Sequence, residues 1–63
     1  MIVVTKLRGD HLVVNAEQIK FIEATPDTMI TLLNGEHIIV RESVEEVVMR
    51  AVAYGRSIRA FAH

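Results

Sequence analysis

The stretch TLLNGEHIIV, Thr31 to Val40, nearly repeats TKLRGDHLVV, Thr5 to Val14. Thr, Leu, Gly, His and Val recur in register, and Glu36 answers Asp10. In a chain of 63 residues this repeat constrains the fold more than any other feature. Each copy reads as two β-branched or apolar runs joined through a glycine, which is the pattern of a hairpin. Asn34-Gly35 between apolar runs is the strongest short-range hairpin signal, because a type I′ turn needs positive φ at both central residues. In the first copy Arg8 would be strained at positive φ. A type II′ turn at Gly9-Asp10 or a three-residue loop with a bulge is the alternative there.

Between the copies IKFIEA, Ile19 to Ala24, supplies a fifth strand, led in by Asn15-Ala16-Glu17-Gln18 and out by Thr25-Pro26-Asp27-Thr28. Pro26 has φ pre-set for a turn, and the Asp27 and Thr28 side chains can bond nearby backbone. Short runs joined by tight turns favour an antiparallel meander. After Arg41 the period changes. Ser43 followed by Glu46 forms a capping box, and Glu45 and Glu46 suit the positive end of a helix dipole. Val44, Val47, Val48, Ala51, Tyr54 and Ile58 then keep the spacing of an amphipathic helix. The expected fold is α+β, a five-stranded antiparallel sheet followed by one C-terminal helix. Its strands fall at about 2–7, 11–15, 19–24, 29–33 and 36–41, and the helix at about 43–59, all in a single domain spanning 1–63.

Sorting strand residues by a two-residue Asn-Gly turn puts Met29, Thr31, Leu33, Ile38 and Val40 on one face. Ile30, Leu32, His37, Ile39 and Arg41 then lie on the other. Both faces hold large aliphatics, and one helix can cover only one of them. A chain this small buries only about 60% of its unfolded surface; it has no Cys for disulfides, and its hydrophobic content is 51%. The expectation is a homo-oligomer, a dimer or trimer, with Ile30, Leu32 and Ile39 of the sheet and Tyr54, Ile58 and Phe61 of the widening helix stripe at the interface.

Charge excludes several functions. Seven Lys and Arg against eight Asp and Glu leave no basic footprint for DNA, and little phosphate attraction for RNA. No run reaches the roughly 18 apolar residues of a membrane span, and the apolar start lacks the basic n-region of a signal peptide. The chain reads as soluble and cytoplasmic. His11 and His37 sit at matching positions beyond the two turns, but a metal needs further ligands, so they are read as part-exposed strand-end residues and no metal or cofactor is expected. Arg8-Gly9-Asp10 reads as a hairpin turn. Glu23, Asp27, Glu42, Glu45 and Glu46 have no cleft to converge in, and Ser43 is explained as a cap, so no catalytic residue is assigned.

The segment NAEQIKFIEATPDTMITLLNGEHIIVRESVEEV resembles the small flagellar FlbD/SwrD family. Asn15, Ile19, Ile22, Glu23, Pro26, Asp27, Thr28, Asn34-Gly35, Val40 and Glu42-Ser43 carry the likeness. It covers nearly the whole chain. The resemblance implies a non-enzymatic cytoplasmic accessory of the bacterial flagellum, associated with motor power and swarming, that binds a motor or basal-body protein. Glu23, Asp27, Arg41 and Glu42 are the candidate partner-binding residues. Two departures are Arg8-Gly9 where Asn-Gly is expected and the apolar tail IRAFAH, which the resemblance gives no role. In outline the chain is also similar to the CsrA RNA-binding regulators, with Arg41 where their RNA-binding Arg would stand, but the central part of that pattern is missing.

Overall fold

Both copies of the repeated phrase fold into the same hairpin. The computed structural model describes residues 1–24 and 26–62, with side chains as far as residue 55. In it β1 (Ile2–Thr5) pairs with β2 (His11–Val14), and β4 (Thr28–Leu32) pairs with β5 (His37–Val40). Gly9 N donates to Lys6 O at 2.9 Å, and Lys6 N to Asp10 O at 2.7 Å. In the second copy Gly35 N donates to Leu32 O and Leu32 N to Glu36 O, both at 2.9 Å. Each loop therefore has three residues and closes on a glycine at positive φ, +103° at Gly9 and +92° at Gly35. This is the bulged three-residue loop, one of the alternatives open for the first copy. No other described residue has positive φ, so Asn34 does not form the expected type I′ turn. Its side chain instead accepts from Glu36 N at 3.0 Å, while Arg8 pairs with Asp10 at 2.7 Å. The residue before the glycine steadies the acidic residue after it in both copies.

A side chain at either glycine would meet no obstacle: the nearest atom to a Cβ at Gly9 is an Arg41 guanidinium nitrogen at 3.7 Å, and nothing lies within 4 Å at Gly35. The cost of Gly9→Ala or Gly35→Ala should therefore be backbone strain alone, roughly 1–2 kcal/mol each. Urea unfolding checks this; a neutral substitution at both sites would contradict the bulged loop.

The three-residue loop shifts the sorting of faces by one residue across the hairpin. Thr28 with Val40 and Ile30 with Ile38 share one face, and Met29 with Ile39 and Thr31 with His37 share the other. Ile30 thus joins Ile38 and Val40 instead of opposing them, and Ile39 stands apart from Ile30. The first copy has the same phase: Ile2, Val4 and Val14 are buried, while Val3 and Val13 are exposed.

The five strands are also not one sheet. β1 and β2 form a two-stranded sheet, and β3 (Ile19–Ala24) joins β4 and β5 in a three-stranded one of order β3-β4-β5. Between β2 and β3 a single 3-10 turn, Ala16–Gln18, interrupts the meander; Asn15 caps it by accepting from Glu17 N at 3.0 Å. The two sheets touch through one bridge, Lys6 to Val40, and through Arg41 N donating to Thr5 O at 2.8 Å. The physical reason lies in the paired faces. Two hairpins that each carry one apolar face can bury both by packing them together, whereas a single sheet would leave one uncovered.

The core is accordingly drawn from both hairpins and the helix: Ile2, Val4, Val14, Ile30, Val40 and Val47. The helix α1 (Val44–Ala62) packs against β1 and β3 and runs through Gly55 without a break, past the expected end near 59. Ser43 Oγ accepts from Glu46 N at 3.1 Å, but the Glu46 carboxylate turns to Arg50, so only half of the capping box forms. Val48, expected on the core stripe, is 42% exposed; Val47, Ala51 and Tyr54 face inward. β3 is an edge strand, with a register shift between Ile19 and Phe21 and charged Lys20 and Glu23 along it. These features blunt edge-to-edge pairing.

Candidate functional site

The charged residues after β5 are where a partner-binding site is expected, and the chain uses them first for itself. Glu42 Oε1 accepts from Thr5 N and Oε2 from Thr5 Oγ1, both at 2.8 Å. Arg50 Nη1 reaches Glu42 Oε2 at 3.3 Å and also donates to Val3 O. Arg50 Nη2 pairs with Glu46 at 3.0 Å, the i,i+4 partner on the same helix. These contacts clasp β1 to the turn before α1 and to the first two turns of the helix. Burial would raise the Glu42 pKa, but the Thr5 N–H and hydroxyl bonds, its own N–H and the Arg50 charge outweigh it. The carboxyl is held below the ordinary glutamate value, and so is ionised at neutral pH rather than poised as a general acid. With only 12% of its side chain exposed, Glu42 is a structural anchor.

Arg41 plays a related part. Its Nε donates to Leu7 O at 2.8 Å, tying the first hairpin's turn to the end of β5. Of the other two candidates, Glu23 is exposed on β3 opposite Met29, and Asp27 is exposed in the turn before β4. The four residues therefore do not converge. Of the expected interface positions, Ile30 is fully buried inside the chain, which removes it from the outer surface, while Leu32 and Tyr54 are half-buried against the core. Ile39 is 44% exposed. Ile58 and Phe61 lie outside the residues whose side chains are described.

Two surfaces stand out instead. The outer face of the three-stranded sheet presents Phe21, Glu23, Met29, His37 and Ile39, around a Thr31 hydroxyl that lies 3.0 Å from His37 Nδ1. A cleft of about 580 Å³ opens between the hairpins, its lining including Leu12, Val14, Leu32, Ile38, Lys6 and His37. A flat sheet has no room for such a cleft; it depends on the 3-10 turn at Ala16–Gln18, a segment read from the sequence only as the lead-in to β3. The Thr31 hydroxyl meets the His37 imidazole, but Thr31 is only 4% exposed, so its oxygen is shielded from a substrate. Among the described residues no three His, Asp or Glu gather to hold a metal, and no helix is long and apolar enough to cross a membrane.

A family model described as flagellar and swarming motility proteins, FlbD, matches residues 1–59. The chain belongs to the FlbD family. The match takes in both hairpins, the Glu42–Arg50 clasp and the helix beyond Gly55, so the whole described core is the family's domain. No match is found among curated proteins or solved structures. Membership associates the chain with flagellar and swarming motility.

Proposed function

We propose that this FlbD family member is a non-enzymatic flagellar accessory that binds another flagellar component at the cytoplasmic side of the motor and supports stator power during swarming. The observation that carries the reading is family membership across residues 1–59. The exposed sheet face around Phe21, Glu23 and Ile39 supports binding as the mode of action, since apolar side chains grouped on a surface mark interaction sites. Arg41 and Glu42 support it too: they are engaged in holding the fold together rather than arranged for chemistry.

Deleting the gene from a motile host should leave filaments assembled while swarming under load weakens. Complementation with Phe21→Ala plus Ile39→Ala should restore less swarming than the unaltered chain, and crosslinked pull-down from motile cells should lose the partner with that variant. Missing filaments would replace the motor-power reading with an assembly role. With net charge −1, filter binding at physiological salt should show no tight RNA complex; nanomolar, salt-sensitive affinity would put an RNA-binding role first.

A further inference from the structure

The cleft between the hairpins runs along strand edges. Ile38 faces the core while His37 and Ile39 face outward, yet all three line it. On β2, Leu12 turns inward and Val13 outward, and both line it as well. A cleft lined from both faces of a strand lies against that strand's edge. The ladders fix where the edge groups point. In the second hairpin Leu32 N donates to Glu36 O, so antiparallel alternation makes Ile30 and Ile38 an exchanging pair and Thr31 and His37 a non-exchanging one. In the first, Thr5 O accepts from Arg41 N and Val3 O from the Arg50 guanidinium, both outside the hairpin. Val3 and Val13 are then a non-exchanging pair too. The N–H and C=O of Val13 and His37 therefore point away from β1 and β4, and no turn or cap bond among the described residues takes them. Such groups template a further strand, and here neither a register shift nor a run of charge blunts the edge as on β3. Half-buried Lys6 lines the same cleft, and among the described residues no carboxylate lies within ion-pair distance of it.

We propose that this cleft takes an extended segment of a partner protein as an added strand, with apolar side chains against Leu12, Leu32 and Ile38 and an acidic side chain at Lys6. The edge groups select an extended backbone, since only a strand offers donors and acceptors at their spacing. The Lys6 ammonium selects the charge. β2 and β5 are four residues each, so the paired part of the segment is about 13 Å long. Main-chain bonds then supply affinity, and the apolar lining with Lys6 supplies selection. The inference rests on the partner-binding reading above and gives that binding a backbone-led site beside the exposed sheet face.

Peptides selected on the whole chain from a displayed random heptapeptide library are the probe. They should alternate apolar residues and carry an acidic one. Affinity, read by fluorescence anisotropy, should fall tenfold or more with Lys6→Glu, whose circular dichroism should match the natural chain. It should fall as far when alternate peptide amides are N-methylated, a change that spares every side chain. In the complex the amide hydrogens of Val13 and His37 should exchange at least tenfold more slowly. A library that yields no binder, or binders indifferent to both Lys6→Glu and N-methylation, would overturn the proposal. So would a dimer in sedimentation equilibrium that excludes the peptides, since a second copy would then fill the cleft. Motility separates this inference from the reading beneath it: a Lys6→Glu chain that restores full swarming to a deletion strain would sink the cleft and leave the flagellar role standing.

Discussion

Ile30→Ala should destabilise the chain by about 2–5 kcal/mol, the usual loss when a fully buried isoleucine is cut back and its cavity only partly collapses. Ile30 is 0% exposed and stands on the middle strand β4, paired with Ile22 on one side and Ile38 on the other. A chain of 63 residues has a total stability of roughly 3–9 kcal/mol at ordinary per-residue values, so this one truncation should remove a large share of it. Ile39→Ala, on the paired strand but with its side chain 44% exposed, should cost under about 1 kcal/mol. Urea unfolding followed by circular dichroism gives both values. Equal losses would mean that the faces are not sorted as the three-residue loops dictate.

The second large effect should come from Glu42→Ala. It strips the acceptor from the Thr5 N–H and hydroxyl and leaves Arg50 with only Glu46 and the Val3 carbonyl. Leaving a part-buried donor unsatisfied costs about 1–3 kcal/mol. The same carboxyl should make stability depend on pH in a definite direction. Its pKa is lower folded than unfolded, where it keeps the ordinary glutamate value, so the unfolded chain takes up the proton first. Its contribution is complete above about pH 5 and is lost as the pH falls through the unfolded value to the lower folded one. Melting temperature should drop across that window in the natural chain and drop less in Glu42→Gln. Identical acid profiles for the two would remove the clasp from the account.

The repeated phrase made much of the fold legible. Strand positions, the stop at Glu42-Ser43 and an amphipathic helix follow from local pattern, and Thr5 and Thr31 begin equivalent turns in both. The loop length did not follow. Asn-Gly fits a two-residue turn and a bulged three-residue turn alike, and that single residue of ambiguity reverses the face on which the partner strand's side chains stand. It misplaced Ile30 and Ile39 relative to each other, and with them the argument for which apolar groups must be covered. The Glu42 clasp was hidden for a different reason. Its partner Thr5 lies 37 positions away in the sequence, and nothing local distinguishes it from Thr31, which is turned toward His37.

The sequence by itself determined the elements and their order, because the spacing of apolar residues and the backbone demands of glycine, proline and the helix cap act over a few residues. It also carried the likeness to flagellar proteins that the family match bears out across residues 1–59. The tertiary structure alone decided that the strands split into two sheets rather than one, that their apolar faces cover each other, and that Glu42 and Arg41 bind the chain's own backbone. Those outcomes depend on which surfaces meet at long range, where burying two apolar faces against each other outweighs extending a flat sheet with one of them wet.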